Sequence, residues 1–202
     1  MSIPLVGQVG PQTASDGSLV SPRLNREGAM VIQNLHGRYY EQVMRGNVFG
    51  ASNQAAQAVS VALNTTYTGL VLSNPNGSGK YLVLLSAGYA LSVAPAGIAS
   101  IHLIGANSAT DVVHTTPVVP RSMLIGNTST PSGKTDSAAT IPTPFYLMSL
   151  MGGFTAGALP DSPNALFDIG GQIVLAPGGF VAIGALTAVT GFGSFVWEEV
   201  AI

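Results

Sequence analysis

Two long stretches, Tyr81–Thr110 and Ile169–Trp197, contain no Asp, Glu, Lys or Arg, yet both are repeatedly cut by Gly and Pro. A helix that crosses a bilayer needs about 20 predominantly apolar residues. The first stretch is interrupted at Gly88, Pro95, Gly97 and Gly105, and the second at Gly170-Gly171, Pro177-Gly178-Gly179, Gly184 and Gly191. What remains is a series of short alternating apolar runs bounded by turn formers, the pattern of strands in an all-β domain. A transmembrane β-barrel also alternates. The opening Met1-Ser2-Ile3-Pro4-Leu5-Val6-Gly7, however, has no basic head followed by an apolar core, so no export signal is read and no membrane partner is expected.

The surface such strands would present is unusually poor in charge. Ionisable Asp, Glu, Lys and Arg make up 8% of the 202 residues and hydrophobic residues 47%, whereas a free soluble domain carries about 25% charged residues. Much of the exterior is therefore expected to be covered by protein, which points to an assembly subunit. The formal net charge of −2 and seven unclustered Lys and Arg give no field to hold a phosphate backbone, so no nucleic-acid partner is expected. With no Cys, neither a disulfide framework nor a thiolate metal site can form.

Residues 1–29 are punctuated by Pro4, Pro11 and Pro22, lack either periodicity, and read as an extended N-terminal arm. Ile3, Leu5, Val6 and Leu24 would suit that arm to a neighbour's surface. Residues 30–202 read as a single β-sandwich domain. Arg38–Met44 is a short strand candidate for which a helix stays open. The Thr65–Ser73 and Lys80–Ala87 runs flank the turn-rich Asn74-Pro75-Asn76-Gly77-Ser78-Gly79, which predicts a hairpin with a longer loop. Asn127–Pro144, rich in Ser, Thr, Pro and Gly, predicts an exposed loop. Roughly eight to ten short strands without βαβ alternation predict an all-β jelly roll or two-sheet antiparallel sandwich.

Chemical motifs are sparse. Gly77-Ser78-Gly79-Lys80 resembles part of a phosphate loop, but Asn74 and Tyr81 stand where Gly and Ser or Thr are needed, and a strand pattern follows instead of a helix. His36, His102 and His114 lack ligand spacing, so no metal and no cofactor are expected; His102 and His114 read as strand-surface or loop residues. No Gly-x-Ser-x-Gly elbow and no paired carboxylates assign catalytic residues, which argues against an enzyme. Arg38-Tyr39-Tyr40 and Arg45, with Arg23 and Arg26 from the arm, offer the forked donors and rigid rings enriched at interface centres. Trp197, flanked by Phe195 and Val196, reads as core.

Three segments together resemble structural proteins of tailed bacteriophages. They are Asn34-Leu35-His36-Gly37-Arg38-Tyr39-Tyr40-Glu41 with Arg45-Gly46-Asn47-Val48-Phe49, then Leu72–Lys80, and finally Leu175-Ala176-Pro177-Gly178 with Phe195-Val196-Trp197-Glu198-Glu199. The family is that of small β-rich virion proteins, especially capsid decoration or cement proteins. The resemblance implies a homotrimer, made in the host cytoplasm, that sits on the capsid exterior where major capsid protein subunits meet. It transfers no residue role. The alternative is a receptor- or glycan-binding domain of a tail fibre or spike, with Asn127–Pro144 and Trp197 as its contact regions. A third reading, a hydrolase built on a jelly roll, requires a buried carboxylate or His cluster.

Overall fold

The computed structural model describes residues 37–106, 110–154, 156–157 and 164–202. The chain divides into two units, Met1–Tyr40 and Glu41–Ile202. Of the first only residues 37–40 are described, so the expected arm over residues 1–29 lies outside the described residues.

Arg38–Met44, open to either strand or helix by sequence, holds a short helix, α1 (Tyr40–Met44). Glu, Gln and Met favour that conformation, and Gly46, at φ +75°, ends it. The Gly46 N–H donates to Val43 O and the Asn47 N–H to Gln42 O.

Among the described residues twelve strands follow: β1 (Val48–Ser52), β2 (Gln57–Val59), β3 (Thr66–Ser73), β4 (Lys80–Leu91), β5 (Ala99–Ala106), β6 (Val113–Val118), β7 (Arg121–Ser122), β8 (Lys134–Thr140), β9 (Phe145–Phe154), β10 (Asn164–Leu175), β11 (Phe180–Ala185) and β12 (Val189–Ala201). They form two sheets whose strand pairs are antiparallel, as expected for an all-β sandwich. One runs β10-β4-β12-β1-β7 with β2 also on β12, and the other runs β6-β8-β3-β11-β5-β9.

Alternation builds the core between them. Phe195 and Trp197 of β12, Leu70 and Leu72 of β3, and Val181 and Ile183 of β11 all point into one cluster. In β4 the apolar phase changes, from Leu82 and Leu84 to Ala87, Tyr89 and Leu91. A one-residue slip would send half of these side chains to the wrong face. The register with β12 shifts between Val196 and Trp197, leaving Leu85 as the extra residue, and this bulge keeps both halves inward. The remaining β11 side chains, Phe180 and Ala182, join Tyr67, Val71, Ile104 and Ile141 in a second cluster on the outer face of their sheet.

The hairpin expected around Asn74–Gly79 is not one: β3 and β4 lie in different sheets, and the loop crosses between them. The Pro177-Gly178-Gly179 turn makes a second crossing, from β10 to β11. Buried Asn74 ties the two together. Its Nδ2 donates to Lys80 O and Leu175 O, each at 2.8 Å. Its N–H donates to Gly179 O at 2.8 Å, and its carbonyl accepts from the Gly178 N–H at 2.7 Å. A hairpin turn would satisfy its own strands; here the side chain amide does that work across the gap.

Asn127–Pro144 also departs from the expected loop, because Lys134–Thr140 within it is β8, paired on both sides with β3 and β6. Its polar residues are buried because they find partners: the Thr135 hydroxyl donates to Val118 O at 2.7 Å, and Asp136 pairs with a histidine.

Candidate functional site

Glu199 is the most heavily coordinated ionisable group among the described residues. Alternation in β12 puts it on the inward face with Phe195 and Trp197. Its carboxylate accepts from the Gly133 N–H at 2.8 Å, the Ser132 N–H at 3.0 Å, Lys80 Nζ at 2.7 Å and Trp197 Nε1–H at 3.4 Å. Burial pushes its pKa up, but the Gly133 N–H, the Lys80 ammonium and the Ser132 N–H outweigh that and hold the carboxyl below its ordinary range. Gly133 fits only without a side chain, since a Cβ there would stand 2.9 Å from Leu82 and 3.2 Å from the Trp197 indole. Lys80 of the phosphate-loop-like segment is thus committed to a structural ion pair, and a strand follows it.

The histidines expected on strand surfaces or in loops carry more than that. On β6 the His114 Nδ1–H donates to Asp136 Oδ2. Asp136 is fully buried, and its Oδ1 has no partner among the described residues. A buried carboxylate needs a partner, and His114 supplies it while clamping β6 to β8. On β5, His102 lies between the Ser100 and Ser149 hydroxyls at 2.7 and 3.0 Å, with the Tyr146 ring edge-on at 5.0 Å. Burial lowers its pKa below the ordinary 6.5.

Of the predicted interface residues, Arg23 and Arg26 lie outside the described residues. Arg38 and Tyr40 are exposed, Tyr39 is half-buried with the Arg38 guanidinium 5.1 Å from its ring centre, and Arg45 is exposed. Trp197 is core, fully buried with its ring 6.3 Å from Phe49.

Nothing matches this chain among protein-family models, curated proteins or solved structures.

Several large apolar side chains face outward in the β unit. Phe145, Tyr146, Leu147 and Met148 are all exposed along β9, the last strand of its sheet. Ile98 and Leu166 are each 76% exposed, and Ile125 86%. Two clefts border β1 and β7. The larger, about 640 Å³, runs between the Gly50–Ala55 segment and the Pro117–Val119 segment, with Gln57 and Arg121 in its lining. The second, about 520 Å³, is walled by the Ile125–Pro131 segment, with Arg121 and Lys134 in its lining. Sequence reasoning missed these clefts, because residues about 65 positions apart form the larger one. No group of His, Asp, Glu or Cys among the described residues has the arrangement of a metal site.

Proposed function

We propose that this chain is a non-enzymatic structural subunit of a virus particle, a capsid decoration or cement protein that binds the assembled major-capsid lattice and stabilises it. The observation that carries this reading is the exterior of the β unit. Charges there are few, and Asp136 and Glu199 are buried, while Ile98, Phe145, Leu147 and Leu166 stand in the open. Single exposed apolar residues are ordinary, but many on a chain so poor in charge favour burial against protein. The resemblance of Leu72–Lys80 and Phe195–Glu199 to virion proteins points the same way.

A subunit that binds only the assembled shell stabilises it by mass action, by about 2.7 kcal/mol per site at a hundredfold excess over Kd. Repetition over many equivalent sites multiplies that. Self-association as a homotrimer would bury further apolar surface under a closed symmetry. The test is the chain's copy number and position in purified particles, by quantitative mass spectrometry and cryo-electron microscopy. Stoichiometry matching the capsid lattice supports the proposal; a stable, highly soluble monomer that adheres to no particle overturns it.

A further inference from the structure

We propose that the two adjoining clefts at β1 and β7 bind an extended acidic peptide segment of a partner protein, with Arg121 and Lys134 receiving its carboxylates. The inference rests on the assembly reading only for where such a segment comes from.

Lys80 is held by Glu199, whereas no described group pairs with the side chain of Arg121 or Lys134. Arg121 lines both clefts and Lys134 the second, and neither lining contains an Asp or Glu. The strand register brings the two cations close: Val118 of β6 stands opposite Thr135 of β8, so Lys134 falls beside the Val119-Pro120 link that leads into Arg121. In a unit with so few charges, two unopposed cations on one concavity define an anion-seeking surface.

The walls select among anions. No exposed aromatic ring lines either cleft to stack on a base or a sugar, because Phe195, the ring in the first lining, is 1% exposed. Exposed Val119, Met123 and Ile125 instead offer contacts for apolar side chains. Of the two glutamines in the first lining, Gln54 already donates its Nε2 to Ser52 O at 3.0 Å, while the Gln57 amide, engaged by no described group, is left to meet peptide groups. β1 is paired along its full length with β12, but β7 covers it only at Phe49 and Gly50, so the chain past that point borders the groove. A segment alternating carboxylate and apolar side chains fits these features; a free phosphate or an acidic sugar uses only the cations.

The experiment titrates the ¹⁵N-labelled full chain with the blocked pentapeptide Glu-Leu-Glu-Val-Glu and, in parallel, with its Gln-for-Glu counterpart, inorganic phosphate and sialyllactose. The proposal expects amide shifts at Ser52, Gln57, Arg121 and Lys134 with the acidic peptide. Binding should weaken about fivefold in Arg121→Ala, the upper end for losing one exposed ion pair, and weaken further as salt rises. Val93→Ala, at an exposed side chain outside both linings, should bind as the parent does. Equal binding of the Gln peptide, equal shifts with phosphate or sialyllactose, or no effect of Arg121→Ala overturns the assignment. Arg121 is exposed, and an unchanged amide spectrum of the free variant verifies its fold. Failure of the peptide leaves the particle reading standing, and particles lacking the chain leave the cleft chemistry standing.

Discussion

Replacing Glu199 separates a buried carboxylate's role as an acceptor from its role in an ion pair. In Glu199→Ala the Gly133, Ser132 and Trp197 N–H groups lose their acceptor. Lys80, with 36% of its side chain exposed, is able to rehydrate. A buried donor left unmade costs about 1–3 kcal/mol. Taking the 2.8 Å bond to Gly133 as wholly lost and the two longer ones as partly lost gives about 3–5 kcal/mol, the range for breaking a buried charged network. Lys80→Met removes only the screened partner and should cost about 1 kcal/mol or less. Urea denaturation monitored by Trp197 fluorescence measures both. The native pKa of Glu199 is depressed, so its stabilisation is complete above the ordinary value of 4.5 and is lost as pH falls through the native value. Glu199→Gln should therefore flatten the loss of stability below pH 4.5. Equal costs for Glu199→Ala and Lys80→Met would show that the backbone donors are not held by the carboxylate, and an acid limb unchanged in Glu199→Gln would remove the titration argument.

Asn74→Ala strips the side-chain donor from Lys80 O and Leu175 O and should destabilise the protein by about 2–4 kcal/mol in a denaturant titration. Gly191→Ala places a Cβ 2.1 Å from Ala90 O, a backbone atom that cannot step aside, so a loss above about 3 kcal/mol or failure to fold is expected on thermal melting. His102 should titrate by NMR with a midpoint below the ordinary 6.5, because burial disfavours its charged form; its contribution is full at higher pH and declines as protonation sets in. A midpoint above 6.5 would mean that a negative charge, not burial, governs the ring.

The sequence patterns that survived folding were periodic ones. Alternation at Phe195, Trp197 and Glu199 specifies one inward face, and the same signal could have marked Glu199 as a buried acid. Turn chemistry located the Asn74–Gly79 loop but not its partners, because Gly and Asn suit a hairpin and a crossing between sheets equally well. β8 was hidden because Lys134-Thr135-Asp136-Ser137 lacks apolar alternation; only bonds to Val118 and His114, distant in sequence, make its burial tolerable. α1 was ambiguous over a length too short for periodicity to decide. The clefts depend on strands brought together from separate parts of the chain, for which no local pattern exists.

Strand β12 pairs with β1, β2 and β4, so three earlier strands all find their neighbour in the segment made after every other strand. While the ribosome is still extending the chain, that half of the sandwich has a gap at its centre, and its waiting strands carry Leu82, Leu84 and Phe49 unshielded. Contacts over such separations form slowly, and the incomplete intermediate is a target for chaperones or for premature aggregation. A stall or cut ahead of Val189 would therefore release a sticky fragment instead of a smaller native domain.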